Sequence, residues 1–151
     1  SVHYFLVRDT DSVVNLREAM AVQDWQNSGK AFHVMRDWWT HTDLILAGMW
    51  GGISGLLPDM QQSLSNYQSG FAETPNIDQW FLRGCIWPLI CHDSQIHDRY
   101  FESHNAQHWP TAHDPNSSEH VGQDLFAVQP EKQALRLKHW IEKLPCLQLA
   151  K

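Results

Sequence analysis

Residues 3 to 36 run apolar strand, capped helix, apolar strand, and that order narrows the folds open to the chain. Tyr4, Phe5, Leu6 and Val7 form a short apolar run bounded by Arg8, Asp9, Asp11 and Ser12, the pattern of a strand breaking into a turn. Asn15 or Ser12 can cap a helix to about Ser28. Leu16, Met20 and Trp25 fall on one face of it, and Gly29 stands where such a helix closes. "AFHVM", 31–35, is a second strand-forming run, so the segment predicts a βαβ crossover.

The rest of the chain keeps mixing the two element types. "DLILAGMWGG", 43–52, reads as a buried strand or a short helix, and periodicity does not decide. Pro58 is placed to open a helix over 58–69, closed by Gly70. Asn76 caps another to Trp87, stopped by Pro88, and 92–97 forms a short strand. Residues 102–123 carry Pro110, Pro115, Ser117, Ser118 and Gly122 and read as a long loop, a length usually functional or mobile inside a compact domain. "LFAV", 125–128, is a strand candidate, and Pro130 opens a helix over 130–143, with Ala134, Leu137, Ile141 and Leu144 at helical spacing. No repeat or domain boundary is visible. The expectation is one domain, 1–151, of α/β or α+β class, with a small mixed sheet flanked by helices.

Composition narrows the functions. At 151 residues, 42% apolar and 19% charged, the chain suits one globular core. A net charge of −6 with histidine neutral argues against nucleic acid as a partner, because phosphate binding wants a basic face. No apolar run of about 18 residues is present to span a membrane, and no basic-then-apolar leader is visible. Cys85, Cys91 and Cys146 are odd in number and form no C-x-x-C pair, which fits reduced thiols. A cytoplasmic protein is therefore expected. Asn116-Ser117-Ser118 matches a glycosylation sequon, to which the lack of a leader gives little weight. The eight tryptophans need partners for their indole N–H groups, so some should line clefts or interfaces.

The carboxylates at the end of the first strand carry the sharpest chemistry. Strand side chains alternate, so Asp9 and Asp11 face one side. Two carboxylates at the carboxyl end of a strand can share a hard cation such as Mg2+ or Mn2+. The bland alternative is that Asp9 makes a turn while Asp11 or Ser12 caps the helix. In "HVMRDWWTH", His33, Arg36, Asp37 and His41 cluster: Arg36 and His41 can bind phosphate and Asp37 can orient His41, or all four form a polar loop beside Trp38 and Trp39. "GMWGG", 48–52, permits close approach of a ligand or strand, or makes a tight turn. His92, Asp93, His97 and Asp98 form a dense group. His104 and His108 would share a face if helical and hint at zinc, which Pro110 and the missing cysteine partner oppose.

In order along the chain, "RDTDS", "LREAMAVQDW", "FHVMRDWWTHTDLILAGMWGG", "DQWFLRGCIWPLI" and "HDRYF" resemble a group of bacterial glycosyltransferase-like proteins of polysaccharide biosynthesis, of the GT-A type. The likeness runs from about residue 4 to "HVGQ" at 120–123. It implies that Asp9 and Asp11 are a D-x-D motif holding Mn2+ or Mg2+ and the diphosphate of a nucleotide sugar, with Asp11 the more direct ligand. By the same resemblance Arg8 offsets diphosphate charge, His97 completes the metal shell, and Asp78 is the base for a glycan acceptor. Arg17, on the following helix, faces the phosphates or forms a solvated ion pair. A complete GT-A domain carries a nucleotide-binding half before its D-x-D, whereas eight residues precede Asp9. The resemblance thus implies the C-terminal, acceptor-side portion of such a domain, truncated and inactive or a non-catalytic homo-oligomeric module whose exposed edges favour assembly.

A D-x-D phosphohydrolase of the haloacid-dehalogenase type is a further reading. Asp9 would be its nucleophile, Asp11 its general acid/base and Val13 its next motif residue. Charged Arg8 before Asp9 departs from that pattern, no later acidic pair follows an apolar strand, and Lys30 is the one early lysine.

Overall fold

The computed structural model describes residues 2–68, 76–101, 105–114 and 117–124, together with 135, 138, 139 and 142. Four strands, β1 (Tyr4–Arg8), β2 (Phe32–Arg36), β3 (Met49–Ile53) and β4 (Ser94–Asp98), form one mixed sheet in the order β1-β3-β2-β4. β1 and β2 both pair antiparallel to β3, and β2 pairs parallel to β4. The expected class, a small mixed sheet with helices, is what forms. The predicted strand–helix–strand unit is split: β1 and β2 run parallel to each other, but β3 lies between them.

Local signals place α1 (Leu16–Ser28) as read from the sequence. Asn15, in extended conformation, is the cap, and its Oδ1 accepts from the Glu18 backbone N–H at 2.9 Å. Gly29 closes the helix with φ at 75°, where a side chain would be strained. The buried stripe is different from the one expected. Glu18, Ala21 and Trp25 face inward, while Leu16 and Met20 are exposed. Glu18 tolerates burial because it pairs with Arg8 of β1.

The 43–52 ambiguity resolves into an irregular segment followed by β3. Side chains replace ladder bonds there: Arg36 Nη1 donates to the carbonyls of Leu44 (2.9 Å) and Asp43 (3.4 Å), and Gln79 grips Ile45 and Ala47. Gly51 lets β3 approach β1, since a Cβ there would stand 2.6 Å from the Phe5 carbonyl oxygen.

The second expected helix is α2 (Met60–Gln68), and the third begins as α3 (Ile77–Phe81). Pro88 does not stop the latter. A π turn over Leu82–Ile86 intervenes, and α4 (Trp87–Ile90) carries Pro88 in its first turn. The widened turn shifts the ladder where the proline ring would press on the Gly84 carbonyl. The 92–97 strand appears as β4, two residues later at its start. Residues 105–114 and 117–124 are irregular, as read, apart from isolated bridges His97–Gln107 and Ser12–Asp124. The 125–128 strand candidate lies outside the described residues. Of the 130–143 helix, the described Leu135, Lys138, His139 and Glu142 are helical and exposed.

The sheet has a helix layer on each face. Phe32, Val34, Trp50 and Ile96 pack with Phe81, Ile86, Trp87 and Ile90 into the main core. Each of its fully buried aliphatics contributes roughly 1.5–3 kcal/mol. The opposite face holds α1, with Ala21, Met35, Met49 and Val121 as a smaller cluster.

Candidate functional site

β1, β2 and β4 are mutually parallel, so their carboxyl ends open on one end of the sheet. In open sheets that end is where ligands bind. Asp9, Asp37 and Arg99 are the residues that leave these strands.

Two of the acids singled out in the sequence stand at the β1 end, and a third lies within electrostatic reach of Asp9. Asp9 and Asp11 are exposed across a turn that the Ser12 N–H closes on the Asp9 carbonyl at 3.2 Å. Partial burial raises the pKa of the Asp9 carboxyl, and the charges of Asp11 and Asp78 raise it further against the opposing pull of Arg8. Asp78, remote in sequence, comes within electrostatic reach from the first turn of α3, where its Oδ1 accepts from the Gln79 N–H at 2.7 Å. Gly48 makes room, because a Cβ there would collide with the Asp9 carboxylate.

Arg8 stands beside this group but is largely engaged. It pairs with Glu18 and donates from Nη1 to the carbonyls of Val7 (2.6 Å) and Trp50 (3.3 Å), while its buried Nη2 has no partner. Arg36 and His97 are not brought to the carboxylates. Arg36 is buried, its guanidinium 2.8 Å from Asp98 and bonded to loop carbonyls. His97 lies on the far edge strand, about 14 Å away by strand spacing. Both its ring nitrogens are engaged, Nδ1 with His33 Nε2 at 2.8 Å and Nε2 with Asp24 Oδ2 at 3.1 Å. The interaction that the sequence assigned to a metal is made instead by a second histidine and a surface carboxylate.

The β2 and β4 ends form a second polar centre, mostly buried. Asp37, fully buried, takes a two-point bond from Arg17 (2.8 and 2.9 Å) and accepts from the Val121 N–H at 3.0 Å. Arg17 also donates to Thr111 and lies over the Trp109 ring, so neither a phosphate role nor a solvated pair describes it. The Asp37 carboxylate does not reach His41. His41 is held by the backbone N–H groups of Asp37 and Trp38, which donate to its Nδ1. Burial and nearby His120 push the His41 pKa down to about 3, so the ring is neutral and poorly suited to phosphate. Trp38 stacks on His120, with ring centroids 4.1 Å apart, so one face of its ring is covered.

Beside this centre, a cleft of about 270 Å3 lies between the N-terminus of α1 and residues 111–114, 117 and 119. His113 lines it, its pKa pushed down to about 4 by burial and then by Arg99 and Arg17. His104 lies outside the described residues and His108 is exposed. Among the described residues no group of three or more histidine, cysteine or acidic side chains is placed to hold a metal ion.

Sequence reasoning missed Glu18, Asp24, the Arg17–Asp37 pair and the His33–His97 contact. A stripe at 18, 21 and 25 was the available sign for Glu18. Nothing local marks the other three, whose partners are distant in the chain. The chain matches no protein family, no curated protein and no solved structure. Among the described residues no helix is long and apolar enough to cross a membrane.

Proposed function

We propose that the chain carries a metal-dependent glycosyltransferase-type site that uses a nucleotide-diphosphate sugar and transfers to a glycan acceptor. The observation that supports this reading is the exposed pair Asp9 and Asp11 across one turn at the carboxyl end of β1, with Asp78 of α3 in electrostatic reach of Asp9. Like charges gathered at an open strand end suit a hard cation. Mg2+ in particular is commonly held by one or two carboxylates, with substrate phosphates and water supplying the remaining oxygens. Asp9 and Asp11, both exposed, fit that donor set, with Asp11 taken as the more direct ligand. The cation, Mn2+ or Mg2+, supplies charge stabilisation to the leaving diphosphate.

The chain's own groups divide the remaining work. Asp78 takes the proton of the acceptor hydroxyl as that oxygen bonds to the anomeric carbon and the bond to the diphosphate breaks. Arg8 offsets diphosphate charge by its position beside the carboxylates, since Glu18 and two carbonyls hold its guanidinium. Arg36 and His97 have no part in this reading, each being buried in its own pair. A cytoplasmic setting belongs to the proposal, and Cys85 and Cys91 are free thiols.

Melting shifts test it. Mn2+ and a nucleotide sugar should each raise the melting temperature of the native chain, and Asp11→Asn should abolish the Mn2+ response. No shift in the native chain sinks the proposal. A second reading, a non-catalytic homo-oligomeric module, is favoured by one observation: β1 is an edge strand with Tyr4 and Leu6 exposed. A stable dimer without any ligand response would select it. The phosphohydrolase reading gains nothing from Lys30, which precedes β2 at the opposite end of the sheet and lies 3.8 Å from Asp93.

A further inference from the structure

We propose that the free edge of β1 pairs antiparallel with β1 of a second copy of this chain, about a two-fold axis at Leu6. The proposal rests on the homo-oligomeric reading above and gives it a specific form. It holds whether or not the carboxylates serve a transferase.

Backbone phase shows which groups β1 has left to offer. The Ser54 N–H donates to the His3 carbonyl at 3.0 Å, so in the β1–β3 register His3, Phe5 and Val7 turn their N–H and C=O groups to β3. Tyr4, Leu6 and Arg8 turn theirs outward. Among the described residues no strand or bridge takes these groups up. Such a row of open donors and acceptors is a template for another strand, and natural edges are commonly blunted by lysine, proline or a bulge. β1 has no lysine or proline, and its register with β3 is unbroken. Its outer side chains are apolar, with Tyr4 40% and Leu6 45% exposed. The β4 edge of the sheet is closed differently: the Gln107 N–H donates to the Ile96 carbonyl at 2.6 Å and bridges to the strand there.

The residues of the edge select a second copy as the occupant. In an antiparallel pair centred on Leu6, Leu6 faces its own counterpart and Tyr4 faces Arg8, and each of these pairs exchanges two backbone bonds. Every outward group of the strand is then used. The same register sets His3 of one copy opposite Asp9 of the other on the opposite face, a ring N–H donor against a carboxylate at each end of the ribbon. Both residues are exposed and able to meet a partner. Other centres are poorer. A centre on Phe5 sets Arg8 against Val2, one on Val7 sets Asp9 against Phe5, and one on Arg8 sets two arginines face to face. The net charge of −6 does not concentrate at this edge, because residues 2–9 carry one arginine and one aspartate. The contact is isologous, covers Leu6 and Tyr4, and removes the open edge from both copies at once.

The test is sedimentation of the whole chain in excess chelator, from low micromolar to submillimolar concentration. The mass should rise from monomer to dimer with a micromolar Kd. Leu6→Lys places like charges at the axis and should weaken dimerisation at least about tenfold. His3→Glu, which faces Asp9 with a like charge, should weaken it up to about tenfold, and His3→Glu with Asp9→Lys should restore it. Amide NMR spectra of the dilute variants show that the fold is kept. In hydrogen exchange the Leu6 amide should be protected in the dimer and exchange freely in the dilute monomer. A monomer at every concentration, a dimer indifferent to Leu6→Lys, or a charge swap that fails to restore pairing overturns the proposal. So does a Leu6 amide protected in the dilute monomer, which would show that the chain's own residues cover the edge. None of these readouts involves metal or nucleotide, so the dimer can fall with the Mn2+ melting shift intact, and the transferase reading can fall with the dimer intact.

Discussion

His33 and His97 meet edge to face across adjacent parallel strands, with Nε2 of His33 2.8 Å from Nδ1 of His97 and their rings 89° apart. Both side chains are fully buried. The bonds are consistent with two neutral rings. His97 donates Nε2–H to Asp24 and accepts at Nδ1 from His33, whose own Nδ1 is left a bare acceptor without a partner. Trp25 stacks on His33 and closes the face toward α1.

Mild acid should therefore unfold this protein. Burial lowers the pKa of His33, His97 and His120, and places His41 at about 3 and His113 at about 4. The unfolded chain takes up these protons near pH 6.5, before the folded chain does, so stability is full above about 6.5 and is lost as pH falls below it. Each such histidine costs up to about 1.4 kcal/mol per pH unit, and a few together reach a domain's whole stability, roughly 5–15 kcal/mol. Urea unfolding between pH 7.5 and about 4.5 measures this. A flat profile would show that these rings are hydrated.

Asp37→Ala should be among the most damaging substitutions. It leaves Arg17 and the Val121 N–H without their buried acceptor, a loss of about 3–5 kcal/mol by chemical denaturation. Replacing Arg17 and Asp37 together with Met and Leu should recover most of that loss. A single-variant cost under about 1 kcal/mol would mean that the pair behaves as an exposed one.

Gly48→Ala separates position from charge at the β1 end. The backbone tolerates alanine there, but its methyl displaces the Asp9 carboxylate. Stability should change by less than about 1 kcal/mol, while the Mn2+ melting shift falls sharply. An unchanged Mn2+ response would remove Asp9 from the proposed site.

Asp9→Asn should give a slightly more stable protein at neutral pH. Its raised pKa means that ionisation opposes folding, so the penalty is absent in acid and appears as pH rises through that pKa. For an exposed carboxylate the gain is screened to a few tenths of a kcal/mol, about 1 °C in melting temperature. The same variant should lose the Mn2+ response. Lower stability in the variant would show that Asp9 supports the fold rather than a ligand.

The sequence by itself determined what neighbours along the chain can decide. The Asn15 cap, the Gly29 stop, the strand runs at 4–7 and 31–35, and two acids at the end of the first strand depend on backbone geometry within a few residues. The tertiary structure decided the rest. Inserting β3 between β1 and β2 depends on the glycine-lined approach of Gly51 to Phe5 and on a core assembled from residues far apart. Which polar residues the fold takes up as partners for one another was likewise decided in space. Arg36 and His97 have the same side chains as any phosphate or metal ligand, but burial demands a partner for each, and Asp98, His33 and Asp24 supply it. Asp9, Asp11 and Asp78 are exposed, and the fold brings Asp78 within electrostatic reach of Asp9.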